Sequence, residues 1–167
     1  MKSIVLLAAA AAALVATGVA GADGVGPSAT GGVHLTVHDV FGLQTLELQN
    51  FAFTAKIKGD GSADGWYTYR EVDDGVPTTF KGPVTCLTVI GQDAWIGGEI
   101  EKTTDPTYAG QSVWWHVRDN GEGAGDPPDL TSFAGVGTTE ETAAFCAEHR
   151  PFRFPFPIDG GNLRVQG

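Results

Sequence analysis

The sequence predicts an all-β protein: a single antiparallel β-barrel-like or sandwich domain of about seven or eight strands, with one short C-terminal helix. Three observations predict it. Apolar and polar residues alternate in short runs such as Trp66 to Val72 and Gln111 to Arg118, and a period of two places alternate side chains on one face of a strand. Clusters of Gly, Asp and Pro punctuate those runs at regular intervals, as turns do between short strands. Only Thr138 to His149 reads as a helix, with Thr138 and Glu141 spaced as a capping box and Pro151 beyond its end.

The chain begins with a targeting pattern. Lys2 precedes an apolar and small-residue run from Ile4 to Val19, and Ala20-Gly21-Ala22 has the small-x-small form that signal peptidase reads. Cleavage after Ala22 leaves 145 of 167 residues and, with Lys2 gone, a formal charge of −11 in place of −10. That length suits one domain. The Gly-rich residues 23–32 read as a flexible leader and 33–167 as a single secreted β domain, with no later run apolar enough to cross a bilayer. A net negative surface repels phosphate backbones and anionic lipid heads, so neither nucleic acid nor, after signal cleavage, a membrane is expected as a partner.

Val33 to Val37 alternates and gives the first strand. Leu43 to Ile57 is strand-like, but Leu46 and Leu48 lie on one parity while Phe51, Phe53, Ala55 and Ile57 lie on the other. A bulge or break near Gln49-Asn50 is therefore expected. Trp66 to Val72 and Val76 to Phe80 follow, leading into a central hairpin, Pro83 to Ile100, that turns at Gly91-Gln92-Asp93. Gly97-Gly98 in its returning arm marks a bend or a close approach by another segment. Gln111 to Arg118 is the next strand, and Leu130 to Val136 a short one. Pro155 and Pro157, alternating with Phe152, Phe154 and Phe156, exclude a central strand there and point to an edge or an open end. Gly160 to Val165 closes the sheet.

Cys86 and Cys146 are the only cysteines. In an exported chain they are expected to pair, stapling the helix to the central hairpin.

The segments VTCLTVIGQDAWIGGEI and DNGEGAGDPPD, the late cysteine and the terminal GGNLRV together resemble a family of small secreted bacterial proteins of actinobacterial type, whose function is uncharacterised. The resemblance runs from about Phe51 onward, and DNGEG is its most specific part. It implies a secreted β domain and carries over no activity and no catalytic residue.

Chemistry-bearing groups fall in three places. Asp60, Ser62 and Asp64, followed by Glu71, have the spacing of a relaxed calcium loop, but strand-like flanks favour a hairpin turn over the helices such a loop needs. Asp119, Asn120, Glu122, Asp126 and Asp129 form a long acidic loop whose oxygens would suit calcium, or else cap turns. Trp114, His116 and Arg118 share the strand face opposite Val113, Trp115 and Val117, and an indole beside two donors makes a ligand-binding face. Trp66, Trp95 and Trp115 read as core. No hydrolase or metalloprotease motif occurs. The expected function is a noncatalytic binding module outside the cytoplasm, needing no organic cofactor and taking a protein, glycan or small-molecule ligand. The alternative is a small barrel enzyme or carrier with a pocket at one mouth, near His116 and the segment 152–156.

Overall fold

The computed structural model describes residues 26–38, 46–73, 75–152 and 154–167. The expected signal segment and the first residues of the expected leader lie outside them. The strands are β1 (Ser28–His38), β2 (Leu46–Ile57), β3 (Ala63–Asp73), β4 (Val76–Ile90), β5 (Asp93–Glu99), β6 (Lys102–Thr103), β7 (Ser112–Arg118), β8 (Leu130–Thr131), β9 (Gly135–Gly137), β10 (Phe156–Pro157) and β11 (Gly160–Gln166); the helix is α1 (Thr139–Glu148). They form one sheet in the order β10-β8-β7-β5-β4-β3-β2-β1-β11, with β6 beside β4 and β9 beside β7. Every pairing is antiparallel, and the sheet curls into a half-barrel.

The all-β class with one late helix is as the alternation implies, but the strands number eleven among the described residues. Four of them are two or three residues long, too short for alternation to register. The stretch read as one strand from Leu130 to Val136 is two such pieces, β8 and β9, each pairing with a different part of β7. Residues 28–32 are not a leader. They form the start of β1 and pair on both sides, with β2 and β11, and Ala29 is completely buried.

The expected bulge at Gln49-Asn50 is absent. Strand β2 keeps an unbroken register with both neighbours, and Gln49 takes an inward position in line with Phe51, Phe53 and Ala55. The phase slip in the sequence records a buried glutamine rather than an extra residue. The register shift occurs between Val84 and Cys86 on the β4–β5 ladder.

The interior is filled by aromatic rings. Trp115 is the hub, with its ring centroid 5.6 Å from Phe53, 5.4 Å from Tyr67 and 6.1 Å from Phe51. Tyr69 stacks on Phe80. The Tyr67 hydroxyl donates to Glu99 O at 2.8 Å, and burial, with a smaller effect of the Glu99 charge, drives its pKa far up, so it remains a donor. Trp95 and Trp115 are core as expected; Trp66 instead points outward and is 43% exposed.

Helix α1 lies on the outer side of β4, β5 and β7. Thr138 and Glu141 form the reciprocal capping box, and the helix ends at His149 in a left-handed conformation. Thr142, Phe145 and Cys146, one face at spacings of three and four, are its buried residues. Cys146 is bonded to Cys86 across a sequence separation of 60, a closure that contributes about 4 kcal/mol in the chain-entropy model. Among the described residues no helix is long and apolar enough to cross a membrane.

Gly97 makes the close approach that its sequence position implies. A Cβ there would lie 2.3 Å from Thr142 Cγ2 and 2.7 Å from Cys86 Sγ. Gly97→Ala is expected to push α1 off the sheet and lower stability by about 1–3 kcal/mol, measured by urea unfolding of the oxidised protein.

Candidate functional site

The β5–β7 ladder assembles a site on its outer face. Asp93 lies opposite Arg118, Trp95 opposite His116 and Gly97 opposite Trp114, and directly opposed residues share a face. The sheet thus brings Trp114, His116 and Arg118 together as the alternation implies. It does not leave them open. Helix α1, residues 150–152 and residues 154–155 pack over Trp114 and His116, and His116 is only 3% exposed.

His116 is held on three sides. Its ring stacks between Trp95, at 4.2 Å and 23°, and Phe152, at 3.6 Å and 20°. Its Nε2 contacts Asp93 Oδ1 at 2.9 Å. Arg118 donates from Nε and Nη2 to the two oxygens of Asp93, both at 2.9 Å, and its guanidinium lies 5.6 Å from the centre of the Phe152 ring. The hydrogen bond from Arg118 to Asp93 raises the arginine pKa further. Burial lowers the His116 pKa to about 4, outweighing the attraction of Asp93. The ring is therefore neutral at pH 7. Asp93 accepts from Nε2–H, which leaves Nδ1 as a bare acceptor, and that atom is buried without a hydrogen-bond partner.

Beside this stack is a cleft of about 260 Å³, lined by Trp114, Phe133, Phe145, Phe152 and Phe154 together with His116, Ser132 and Gly135. Trp114 is half-buried, its ring 6.1 Å from that of Phe145. Its indole approaches β9 so closely that a Cβ at Gly135 would come within 2.4 Å of it. Phe154, at the same cleft, is 55% exposed and has φ of 89°, a left-handed conformation that costs a non-glycine residue energy. A second hollow, of about 440 Å³, borders the opposite part of the stack and shares His116, Pro151 and Phe152 with the first. Neither is a barrel mouth. The pocket expected near His116 and the 152–156 segment exists, but on the outside of the sheet, since the inside is filled.

The Ser132 hydroxyl accepts from His116 N–H and donates to Phe133 O, both at 2.9 Å. It is held as a structural bridge, not poised as a nucleophile.

The acidic loop does not assemble a cation site. Asp119 accepts from Gly121 N and Val165 N, both at 2.9 Å. Asp129, buried, accepts from Asn120 N at 2.8 Å and Leu163 N at 3.1 Å. Asp126 accepts from Gly123 N, Asn120 donates to Pro128 O, and Glu122 accepts from Asn162. The aspartate oxygens point at separate backbone amides and Glu122 at the Asn162 side-chain amide, so these oxygens do not converge on one point as a calcium cage needs. Among the described residues no three His, Cys, Asp or Glu side chains are placed to hold a metal ion. The shorter acidic turn behaves alike: Asp60 accepts from the amide and hydroxyl of Ser62, Asp64 pairs with Lys56, and Glu71 accepts from the Tyr69 hydroxyl.

Sequence reasoning named Trp114 and His116 for a binding face and put its alternative pocket beside the segment that holds Phe152 and Phe154, but did not place Phe133 or Phe145 there. Phe145 is readable as the buried face of the helix, and Asp93 and Trp95 follow once β5 is paired with β7. Phe133 carries no such signal, because the irregular residues between β8 and β9 have no period. No known family model, curated protein or solved structure matches this chain, so the geometry alone carries the functional reading.

Two outcomes are expected. Above pH 6.5 His116 is neutral in both the folded and the unfolded chain; between 6.5 and about 4 only the unfolded chain takes the proton. Stability should fall over that window as acid is added, by up to about 3 kcal/mol, and His116→Phe should flatten the slope in denaturant titrations across pH. Asp129→Ala strands the amides of Asn120 and Leu163 and should cost about 2–4 kcal/mol, while millimolar calcium leaves the Tm of the unaltered protein where it was.

Proposed function

We propose that this is a secreted, noncatalytic binding module that takes a small ring-bearing ligand into the cleft between β7, α1 and the C-terminal segment. The observation that carries the reading is the cleft lining, where five aromatic side chains from four separate segments converge on one hollow. Ligand sites are mostly apolar concavities with a few fixed polar groups, and this one has that make-up. Its volume lies just under the range of about 300–1,000 Å³ for drug-sized ligands, so the ligand has one or two rings.

Rigidity supports the same reading. The cleft floor is a strand, one wall is a helix fixed by a disulfide, and the other wall is fastened by the 2.6 Å bond from Trp95 Nε1 to Arg150 O. A preformed site loses little entropy on binding. Phe154 stands apart among the lining rings, 55% exposed and in a costly backbone conformation. The export pattern at the start of the sequence and the disulfide support a compartment outside the cytoplasm, and the resemblance to small secreted actinobacterial-type proteins is in line with it.

Catalysis is the weaker reading. The histidine that lines the cleft, His116, is stacked on both faces, and the neighbouring serine is engaged by backbone groups.

Phe154→Gly separates binding from folding. Glycine relieves the positive φ, worth about 1–2 kcal/mol, so stability should hold or rise. Affinity for ring probes (indole, phenol and N-acetylglucosamine, screened by ligand-observed NMR) should drop by about tenfold, the loss of one aromatic contact face. A variant that keeps full affinity for every probe the unaltered protein binds, or an unaltered protein that binds none, counts against the cleft.

A further inference from the structure

The outer face of the β11-β1-β2-β3-β4-β6 half of the sheet lies away from the cleft and has a charge unlike that of the rest of the chain. Lys56, Arg70, Lys81, Lys102 and Arg164 all occupy outward positions there. They are half of the chain's ten Lys and Arg residues, in a protein with 20 Asp and Glu. Among the described residues of these outward rows the one carboxylate is Asp64, which is paired with Lys56 at 3.3 Å. Acidic groups return at the β11 rim, where Glu122 contacts Asn162.

The strand register gives this face a layout. Asn162, Gly32, Ala52, Thr68, Lys81 and Lys102 form one row across it; Arg164, Thr30, Thr54, Trp66 and Pro83 form the next. The middle is a low floor of glycine, alanine and threonine, with shallow hollows of about 300 Å³ beside Gly32 and Arg70 and about 260 Å³ beside Thr54 and Lys56. Trp66 stands on that floor, 43% exposed between Thr54 and Pro83. Lys81 and Lys102 are directly opposed on neighbouring strands, with Arg70 diagonal to Lys81, an arrangement in which like charges work against stability.

We propose that this face binds an acidic polysaccharide laid across the strands. Such a chain alternates what the face alternates. Its ring faces stack on an exposed indole, its carboxylate or sulfate groups pair with Arg and Lys, and its hydroxyls bond to Thr30, Thr54 and Thr68. Strand spacing carries the track from β11 to β6 over roughly 24 Å, the length of an oligosaccharide rather than of a single sugar. Within a Debye length of about 8–10 Å the local cations, not the net charge, govern the contact. A nucleic acid would call for a series of stacking rings, and a lipid surface for an apolar helix face or several protruding apolar groups; this face has one ring on a flat polar floor.

The test uses the oxidised protein and affinity electrophoresis in gels holding polygalacturonate, neutral dextran, polyglutamate or duplex DNA. Retardation by polygalacturonate that weakens with salt, and none by dextran, is the expected pattern. Arg70→Gln/Lys81→Gln/Lys102→Gln should weaken it by about tenfold or more. Trp66→Ala should weaken it several-fold, and Phe154→Gly should leave it unchanged. All the altered side chains are exposed, and circular dichroism checks that the variants fold. No retardation by polygalacturonate, or undiminished retardation of the triple variant, overturns the proposal. So does equal retardation by polyglutamate and DNA with no effect of Trp66→Ala, which would mark a general affinity for polyanions.

Discussion

A curled sheet that stops short of closing must satisfy the amides along its last strand, and here two carboxylates do it. Strand β11 bonds β1 on one side; on the other, Leu163 N and Val165 N point toward the ends of β7 and β8. Asp119 directly follows β7 and Asp129 directly precedes β8, and each accepts one of those amides. Side-chain oxygens thus stand where a neighbouring strand's carbonyls would be. An open edge of this kind otherwise invites pairing with another chain. The acidic loop earlier read for calcium is in this sense a seam, and its carboxylates serve the fold.

Filling the inside of the half-barrel has a consequence for function. With Trp115 and its ring of Phe and Tyr neighbours occupying the interior among the described residues, the candidate site is built on the outside. The disulfide and the glycine at 97 make that practical by seating α1 against the sheet. The helix and the chain after it then wall a hollow over Trp114 and His116. The same packing that shelters the hollow also strips His116 of water, which is why a histidine beside a carboxylate is nonetheless hard to protonate.

The two outer faces differ in kind. One is covered, apolar and enclosed on several sides; the other is open, flat and basic. A chain with twice as many acidic as basic residues reads as uniformly repulsive to anions only while its charges have no positions. Strand pairing gives them positions, and gathers half of the cations onto one face. The two proposals assign a polymer to the open face and a small ring to the covered one.

Alternation along the chain determined the class of fold, the core identity of Trp115 and Trp95, the capped helix and the outward grouping of Trp114, His116 and Arg118. The two cysteines determined the staple. Those features are local, or follow from a period of two or a spacing of three and four, so a linear chain carries them. It could not carry the eleven-strand order, because two-residue strands have no period, nor the inward Gln49, which imitates a bulge. Nor could it carry the convergence of Phe133, Phe145, Phe152 and Phe154 on one hollow, since they come from separate segments whose approach is set by long-range packing. Tertiary structure alone decided whether Asp119 and Asp129 would face a cation or the backbone amides of β11. That choice turned on where β11 came to rest, 34 to 46 residues further along the chain.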